Sequence, residues 1–398
     1  MKKLAVVTAT RAEYGLLAPV IRSLRTYETD ALKIELIVTG THLSEQYGQT
    51  VSDIDVRIDH KIPVSVRSDT ELSISSNQAE VLVKFTELFL TERYQAVLLL
   101  GDRYETLAVA IAAGNTRTPV FHLCGGDTTE GALDEWIRHS ITKISYLHFV
   151  TNEESRKRVI QLGEDPARVF NYGSTSIDNI LSVSNLTKAE ALERVGLPDC
   201  RYALCTYHPV TMGSGSVDGQ IEAFLEAVQA FPELEFIVTK SNADLGGARI
   251  NAMLDDAQTR LANLHVFASL GLRRYLSLMK YAEFVLGNSS SGIVETPAFH
   301  VPTVDIGDRQ RGRLGSESII HCGETAAEIV DAIRLAMSVE HRHKCQSVIS
   351  PYGDGHAAKR IAAKTVEIVQ NRIIDLKKTF FDLENRETTA RTIRQERV

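Results

Sequence analysis

The chain has 398 residues, and a prior of about 150 residues per domain points to two or three domains. Apolar residues make up 43% and charged residues 24%, which excludes a disordered chain, and a net charge of -7 offers no overall field for nucleic acid. Cysteines at 124, 200, 205, 322 and 345 form no CxxC pair and no disulfide framework, so they read as reduced thiols.

The opening MKKLAVVTAT ends its apolar run at Val7, short of the roughly 7–15 residues of a signal peptide. No run reaches the roughly 18 apolar residues of a membrane span. The expectation is a cytoplasmic protein with no membrane partner and no nucleic-acid partner.

In chain order, strands are expected at Leu4–Thr8, Ile34–Thr39, Ala96–Leu100, Val120–Leu123 and Leu147–Val150. Helical periods separate them at Tyr14–Arg25, Asn77–Arg93, Tyr104–Asn115, Asp134–Ser145 and Glu153–Leu162. The pattern restarts with strands near Ala203–Tyr207, Glu235–Val238, His265–Ala268, Phe284–Leu286 and Thr303–Ile306. Its helices fall near Gly219–Phe231, Ala248–Leu261, Arg273–Tyr281 and Ala326–Met337. Apolar runs without alternation suit strands buried on both faces. The expected fold class is therefore α/β, with two Rossmann-like doubly wound domains facing each other across a cleft. The domains are expected at 1–175 and 176–355, with a boundary between Gly173 and Asp199. A helix over 356–380 crosses back to the first domain, and 381–398 form a mobile tail.

In such folds functional residues follow strands. Thr10 to Tyr14 close the first strand, where Arg11 suits clamping a phosphate or carboxylate; a solvated loop arginine is the alternative. Gly101-Asp102-Arg103-Tyr104-Glu105 follow the AVLLL strand, and Asp102 there is either a functional carboxylate or a helix cap. The richest cluster is His122-Leu-Cys-Gly-Gly-Asp127, followed by Asp134, Glu135, Arg138 and His139. Its glycine pair permits close approach to a ligand, and Asp134 with Arg138 makes either a surface ion pair or part of a proton-transfer site.

In the second half, Tyr207-His208-Pro209 and Ser241-Asn242-Ala243-Asp244 follow strands. Gly287-Asn-Ser289-Ser290-Ser291-Gly292 offers hydroxyls and backbone N–H groups to an anion, with an N-cap serine as the plain alternative. Glu295 lies within reach of a sugar on that anion. Arg309, Arg311 and Arg313 follow the next strand and, facing the serines, would complete a pyrophosphate pocket. No P-loop, HExxH or CxxC occurs, and GxGxxG is matched only one position out at Gly213-Ser-Gly215. No metal and no cofactor are expected.

Together these motifs resemble the hydrolysing UDP-N-acetylglucosamine 2-epimerases of the sialic-acid and legionaminic-acid pathways, over about residues 3–370. The matching stretches are TRAEYG (10–15), VTGTHLSEQYG (38–48), GDRYE (101–105), DEWIRHSITK (134–143), RVIQLGE (158–164), YHPVT (207–211), SNAD (241–244), GNSSSGIVE (287–295) and IGDRQRGR (306–313). The resemblance implies a glycosyltransferase-B-like fold and a reaction in two stages. UDP is first eliminated across C1–C2, and water then adds to the 2-acetamidoglucal with inverted C2, giving N-acetylmannosamine. It assigns proton transfer to Asp102 and Asp134, with Asp127 as auxiliary. Arg11, Arg309, Ser289, Ser290 and Ser291 are assigned to the pyrophosphate, Arg103 and His208 to phosphate or sugar, and Glu295 to the ribose. His42 and Asn242 fall on the sugar side, with His139 auxiliary. It further implies a homodimer or higher homo-oligomer.

Some members carry a third carboxylate where this chain has Cys124. UDP-2,4-diacetamido-2,4,6-trideoxyglucose is the alternative substrate, and a glycosyltransferase or a non-catalytic sensor is the alternative class.

Overall fold

A computed structural model describes residues 1–45, 49–65, 70–129, 133–183, 185–210, 216–241, 246–371 and 374–383. The first half forms β1 (Lys2–Thr8), β2 (Leu32–Val38), β3 (His60–Lys61), β4 (Ala96–Leu100), β5 (Val120–Leu123), β6 (Leu147–Val150) and β7 (Val169–Asn171). They lie side by side in the order β3-β2-β1-β4-β5-β6-β7. The second half forms β8 (Tyr202–Thr206), β9 (Glu235–Thr239), β10 (Leu264–Phe267), β11 (Phe284–Gly287), β12 (Thr303–Ile306) and β13 (Ile319–Cys322). Their order is β10-β9-β8-β11-β12-β13, and the pairings within both sheets are parallel.

Both sheets are buried on both faces, as their unbroken apolar runs require. In β1, Leu4 and Val6 pack with Leu17 and Ile21 of the helix Arg11–Arg25, while Ala5 and Val7 pack with Phe85 and Phe89 of the helix Glu71–Glu92. In β8, Ala203 and Cys205 meet Phe224 and Val228, and Leu204 meets Leu278 and Met279. Strand order reverses between β1 and β4 and again between β8 and β11. Those two switch points open crevices at the carboxyl ends of the strands. Among the described residues, no helix is long and apolar enough to cross a membrane.

Three strands escape the sequence reading: β3, β7 and β13. Each is a sheet edge with exposed positions (Lys61, Asn171 and His321), so none presents a continuous apolar run. The stretch between Gly173 and Asp199, where the domain boundary is expected, holds the helices Thr175–Val183 and Lys188–Glu193. The second begins in a capping box: the Thr187 hydroxyl accepts the Glu190 N–H, and the Glu190 carboxylate accepts the Thr187 N–H.

The halves are joined twice. Gly173 (φ +88°) lies so close to the returning chain that a Cβ there would sit 2.6 Å from the Tyr352 carbonyl oxygen, which also accepts the Ser174 N–H at 2.7 Å. Around this crossing Ile177, Ile180, Leu276, Ile293 and Tyr352 form an apolar cluster. The helix Ala357–Asn371 then packs Ile361, Val366 and Val369 into the core of the first sheet. Its first N–H groups, on Ala357 and Ala358, donate to Asp178 at 3.1 and 3.0 Å. The helix ends at Asn371, and the following segment docks by the Phe381 N–H on the Gly163 carbonyl. The tail from 384 onward lies outside the described residues.

Asp178 thus serves as a cap from a different helix. Asp178→Ala leaves two buried N–H groups without acceptors, and the expected loss is about 1–2 kcal/mol of stability, read as a lower urea midpoint.

Candidate active site

The first wall is built around Arg138. Its helix, Asp134–Ile144, buries Ile137 and Ile141, and Arg138 shares that face with only 1% of its side chain exposed. Its Nε and Nη2 donate to Asp102 Oδ2, the former at 3.0 Å. Nη1 donates to the Asp127 carbonyl at 2.8 Å and to Glu135 Oε2 at 3.1 Å, and Nη2 to the Thr129 hydroxyl at 3.1 Å. The guanidinium therefore ties the end of β4, the loop after β5 and its own helix start. Burial directs Arg138 inward, to Asp102 and Glu135.

The charges follow from this packing. Burial pushes the Asp102 carboxyl up, but Arg138, with Arg313 and Arg103 nearby, outweighs burial and holds it below the ordinary carboxylate range. Burial opposes the charge on Arg138 as well, and Asp102, Asp127 and Glu135 keep it protonated. Glu135 is raised by burial yet brought down to about 2 by His139, the Thr129 N–H and Arg138. Asp127 accepts the hydroxyls of Thr151 and Ser155, each at 2.6 Å. Cys124, at φ +64°, has its thiol pushed up by burial and by Asp127 and Asp102, so it stays protonated.

The glycine pair answers to packing more than to a ligand. A Cβ on Gly125 would meet His122 Nδ1 at 2.9 Å, and one on Gly126 (φ +79°) would meet the Ser155 carbonyl at 2.3 Å. His122 is fully buried, donates to the Gly101 carbonyl at 2.8 Å and is lowered by burial to about 3. It braces the β4 end as a neutral ring.

Asn288 organises the second wall from the end of β11. Fully buried, it accepts the His208 N–H at 2.7 Å and donates to the His208 carbonyl at 2.8 Å. Its own carbonyl accepts Arg309 Nη1 at 3.1 Å and Gln310 Nε2 at 2.7 Å. The ends of β8, β11 and β12 are clipped together by one side chain and its backbone. His208 meets the Ser241 hydroxyl at 3.2 Å and, lowered to about 3 by burial and by Arg309, remains neutral. The serine turn is ordered by hydroxyls: Tyr275 to Ser291 at 2.6 Å and Ser289 to Ser291 at 3.2 Å. Ser290 opens the short helix Ser291–Val294, and half-buried Glu295 follows it.

The three arginines after β12 divide instead of converging on the serines. Arg309 turns in to Asn288, Arg311 is 69% exposed beside Asp308, and Arg313 reaches the first domain closely enough for its charge to lower Asp102. From the opposite side, Arg11 pairs with Asp53 at 3.6 Å and comes within 4.0 Å of where a Cβ on Gly271 would stand. The two switch points therefore face one another. Asp102, Asp127, Asp134, Arg103 and His139 lie on the first wall, His139 donating its Nε2–H to Glu135 Oε1 at 3.1 Å. Ser289, Ser290, Ser291, Glu295, His208 and Arg309 lie on the second. His42 is fully buried between the Thr8 and Thr50 hydroxyls at 3.1 and 2.9 Å, and burial lowers it to about 4. Asn242 lies outside the described residues.

Arg138, Glu135, Asn288, Gln310 and Tyr275 join these walls without having been assigned roles from sequence. For Arg138 the signal was legible, since it sits between Ile137 and Ile141 on the apolar face of its helix. Asn288 gave none, because its role depends on contacts with chain ends 80 and 22 positions away. Among the described residues the one trio of metal-type ligands is Glu35, His60 and Glu92. It lies at the sheet edge, where Lys3 and Lys33 neutralise it.

Two facing α/β domains with a cleft between their switch points make a glycosyltransferase-B-like fold. The family model for UDP-N-acetylglucosamine 2-epimerase matches residues 25–365, and the chain belongs to that family. It is similar to the GDP/UDP-N,N'-diacetylbacillosamine 2-epimerase (hydrolyzing) of Campylobacter jejuni, 39% identical over 80% of this chain and 84% of that one. It is similar also to the polysialic acid biosynthesis protein P7 of Escherichia coli, 35% identical over 96% and 98%. The structure of the UDP-GlcNAc 2-epimerase from Neisseria meningitidis bound to UDP-GlcNAc superposes with a TM-score of 0.76 at 21% identity, covering 92% of this chain and all of that one (100%).

Two outcomes are expected. Arg138→Met leaves Asp102 without its cation; stability falls by roughly 3 kcal/mol in denaturant titration, the lower end for a broken buried pair because Asp102 is a quarter exposed. The depressed Asp102 pKa contributes stability above the ordinary carboxylate range, lost as pH falls, so the deficit of the variant shrinks in acid. Glu295 has the opposite sign: burial raises it from 4.5 to about 8, so wild-type stability declines as pH rises through that window. Glu295→Gln removes the decline, and its advantage over wild type grows between pH 5 and pH 8.5 in thermal melts.

Proposed function

We propose that this chain is a hydrolysing 2-epimerase that converts UDP-N-acetylglucosamine and water into N-acetylmannosamine and UDP. The observation that carries the reading is the Asp102 carboxylate, locked by Arg138 at one switch point, with the Asn288–Ser291 turn and Arg309 at the other. The C2–H bond is not activated by a carbonyl, so departure of UDP must lead and build positive charge at C1. Arg11, Arg103, Arg309 and the hydroxyls of Ser289, Ser290 and Ser291 receive the departing pyrophosphate, which is where charge develops. Asp102, already ionised, accepts the C2 proton as the C1–O bond breaks, leaving the 2-acetamidoglucal.

Water then supplies hydroxyl to C1 and a proton returns to C2 on the opposite face. Asp134 and Asp127 are the carboxylates assigned to that return. Glu295 meets the ribose. His208 and His139 bound the sugar, Asn242 is assigned to it by resemblance, and His42 acts through the loop held by Thr8 and Thr50. The protein works in the cytoplasm as a homodimer or larger homo-oligomer, needing no metal or cofactor.

A second substrate reading has its own support. Relatives from Campylobacter jejuni and Legionella pneumophila, 39% and 34% identical, are named for N,N'-diacetylbacillosamine, the 2,4-diacetamido-trideoxy sugar. Such a sugar asks for the same C1–C2 chemistry and differs only at C4 and C6.

Proton NMR in deuterated buffer with each UDP-sugar tests both readings. The expected result is a free 2-epimeric sugar deuterated at C2, with UDP released. Epimerised UDP-sugar would instead indicate a non-hydrolysing enzyme, and UDP release only with an added acceptor a glycosyltransferase. Asp102→Asn is expected to lower turnover by roughly 100- to 10,000-fold while calorimetry finds UDP affinity little changed.

A further inference from the structure

We propose that Glu105 is a positioning residue that fixes the guanidinium of Arg103, an inference that rests on the reaction read above. Glu105 lies in the first turn of the helix Tyr104–Asn115, with 1% of its side chain exposed. Among the described residues neither of its oxygens has a hydrogen-bond partner of ordinary geometry, and Arg103 Nε stands 3.8 Å from Oε2. Its buried neighbour Glu13 is provided for quite differently. The Glu13 carboxyl accepts the Ala9 and Thr10 N–H groups at 2.8 and 3.0 Å and the Thr106 hydroxyl at 3.0 Å.

Two carboxyls share one buried layer beneath the β1 and β4 ends, and Glu13 has three hydrogen bonds to offset its burial. Burial, with the charge of Glu105 adding to it, raises Glu13 to about 7. Placing a second carboxylate there costs stability, and the helix N-terminus offsets only a small part of that cost. What Glu105 gains is a hold on Arg103, whose side chain is 37% exposed and whose charge also acts on Asp102 and Glu13. A long side chain at the cleft mouth is thereby tied down before substrate arrives, which lowers the ordering cost of binding an anion.

The test is a double-mutant cycle over Glu105→Gln and Arg103→Gln, reading KM and kcat for the UDP-sugar, UDP affinity by calorimetry and melting temperature. Glu105→Gln is expected to raise KM by roughly tenfold with kcat little changed, and to add nothing further in the Arg103→Gln background. Its melting temperature should hold or rise, because a buried charge has gone. Glu105→Asp, which keeps the charge on a shorter stem, should recover part of the KM. Equal effects of Glu105→Gln with and without Arg103, or a lower melting temperature at unchanged KM, would overturn the proposal in favour of a packing role. Absence of turnover by the wild type on either UDP-sugar would count against the reaction and not against this coupling, which the UDP affinities of the same four proteins still measure.

Discussion

A guanidinium buried to 1% of its side-chain surface is tolerable only when its charge and its donors are met, and Arg138 meets both requirements within one shell. Asp102 and Glu135 balance the charge; the Asp127 carbonyl and the Thr129 hydroxyl take further donors. A lysine could not substitute, since its compact ammonium lacks the planar fork that reaches Asp102 from two nitrogens at once. The consequence is geometric as well as electrostatic. The ends of β4 and β5 and the start of the following helix are held at one point, and the carboxylate at that point is kept ionised.

The opposite wall is organised differently. Asn288 joins three strand ends through its side-chain amide and its backbone carbonyl, and His208 is held as an unprotonated ring. Such a wall contributes dipoles, hydroxyls and the inward cation Arg309, while Arg313 crosses to the carboxylate side. The division of the arginine cluster thus separates two tasks: one cation is set among anion-binding groups and another beside Asp102. The Gly173–Tyr352 crossing sets the two walls against each other.

The sequence made the central strands legible, because strands such as AVLLL and VFHL are buried on both faces and must be apolar throughout. It did not reveal β3, β7 and β13, whose edge positions carry residues such as Lys61 and His321 and which owe their existence to a neighbouring strand. At the site, Asp102, Asp127, Ser290 and Arg309 could be picked out because they follow strands in a doubly wound pattern. The partner of Arg138 could not. Spacing alone favours Asp134 one turn earlier, and only the burial of Ile137 and Ile141 shows that the arginine must look inward for a carboxylate 36 residues away. At the glycine pair the structure shows close approach by His122 and the Ser155 carbonyl, contacts that spacing along the chain does not reveal.

The account stands on the ionisation state of Asp102, and carbon NMR of protein labelled at the aspartate carboxyl carbons measures it directly. The resonance missing from Asp102→Asn should titrate below the ordinary aspartate value of about 3.9 in the wild type and move upward in Arg138→Met. A wild-type titration at or above that value, or one indifferent to Arg138, would contradict it.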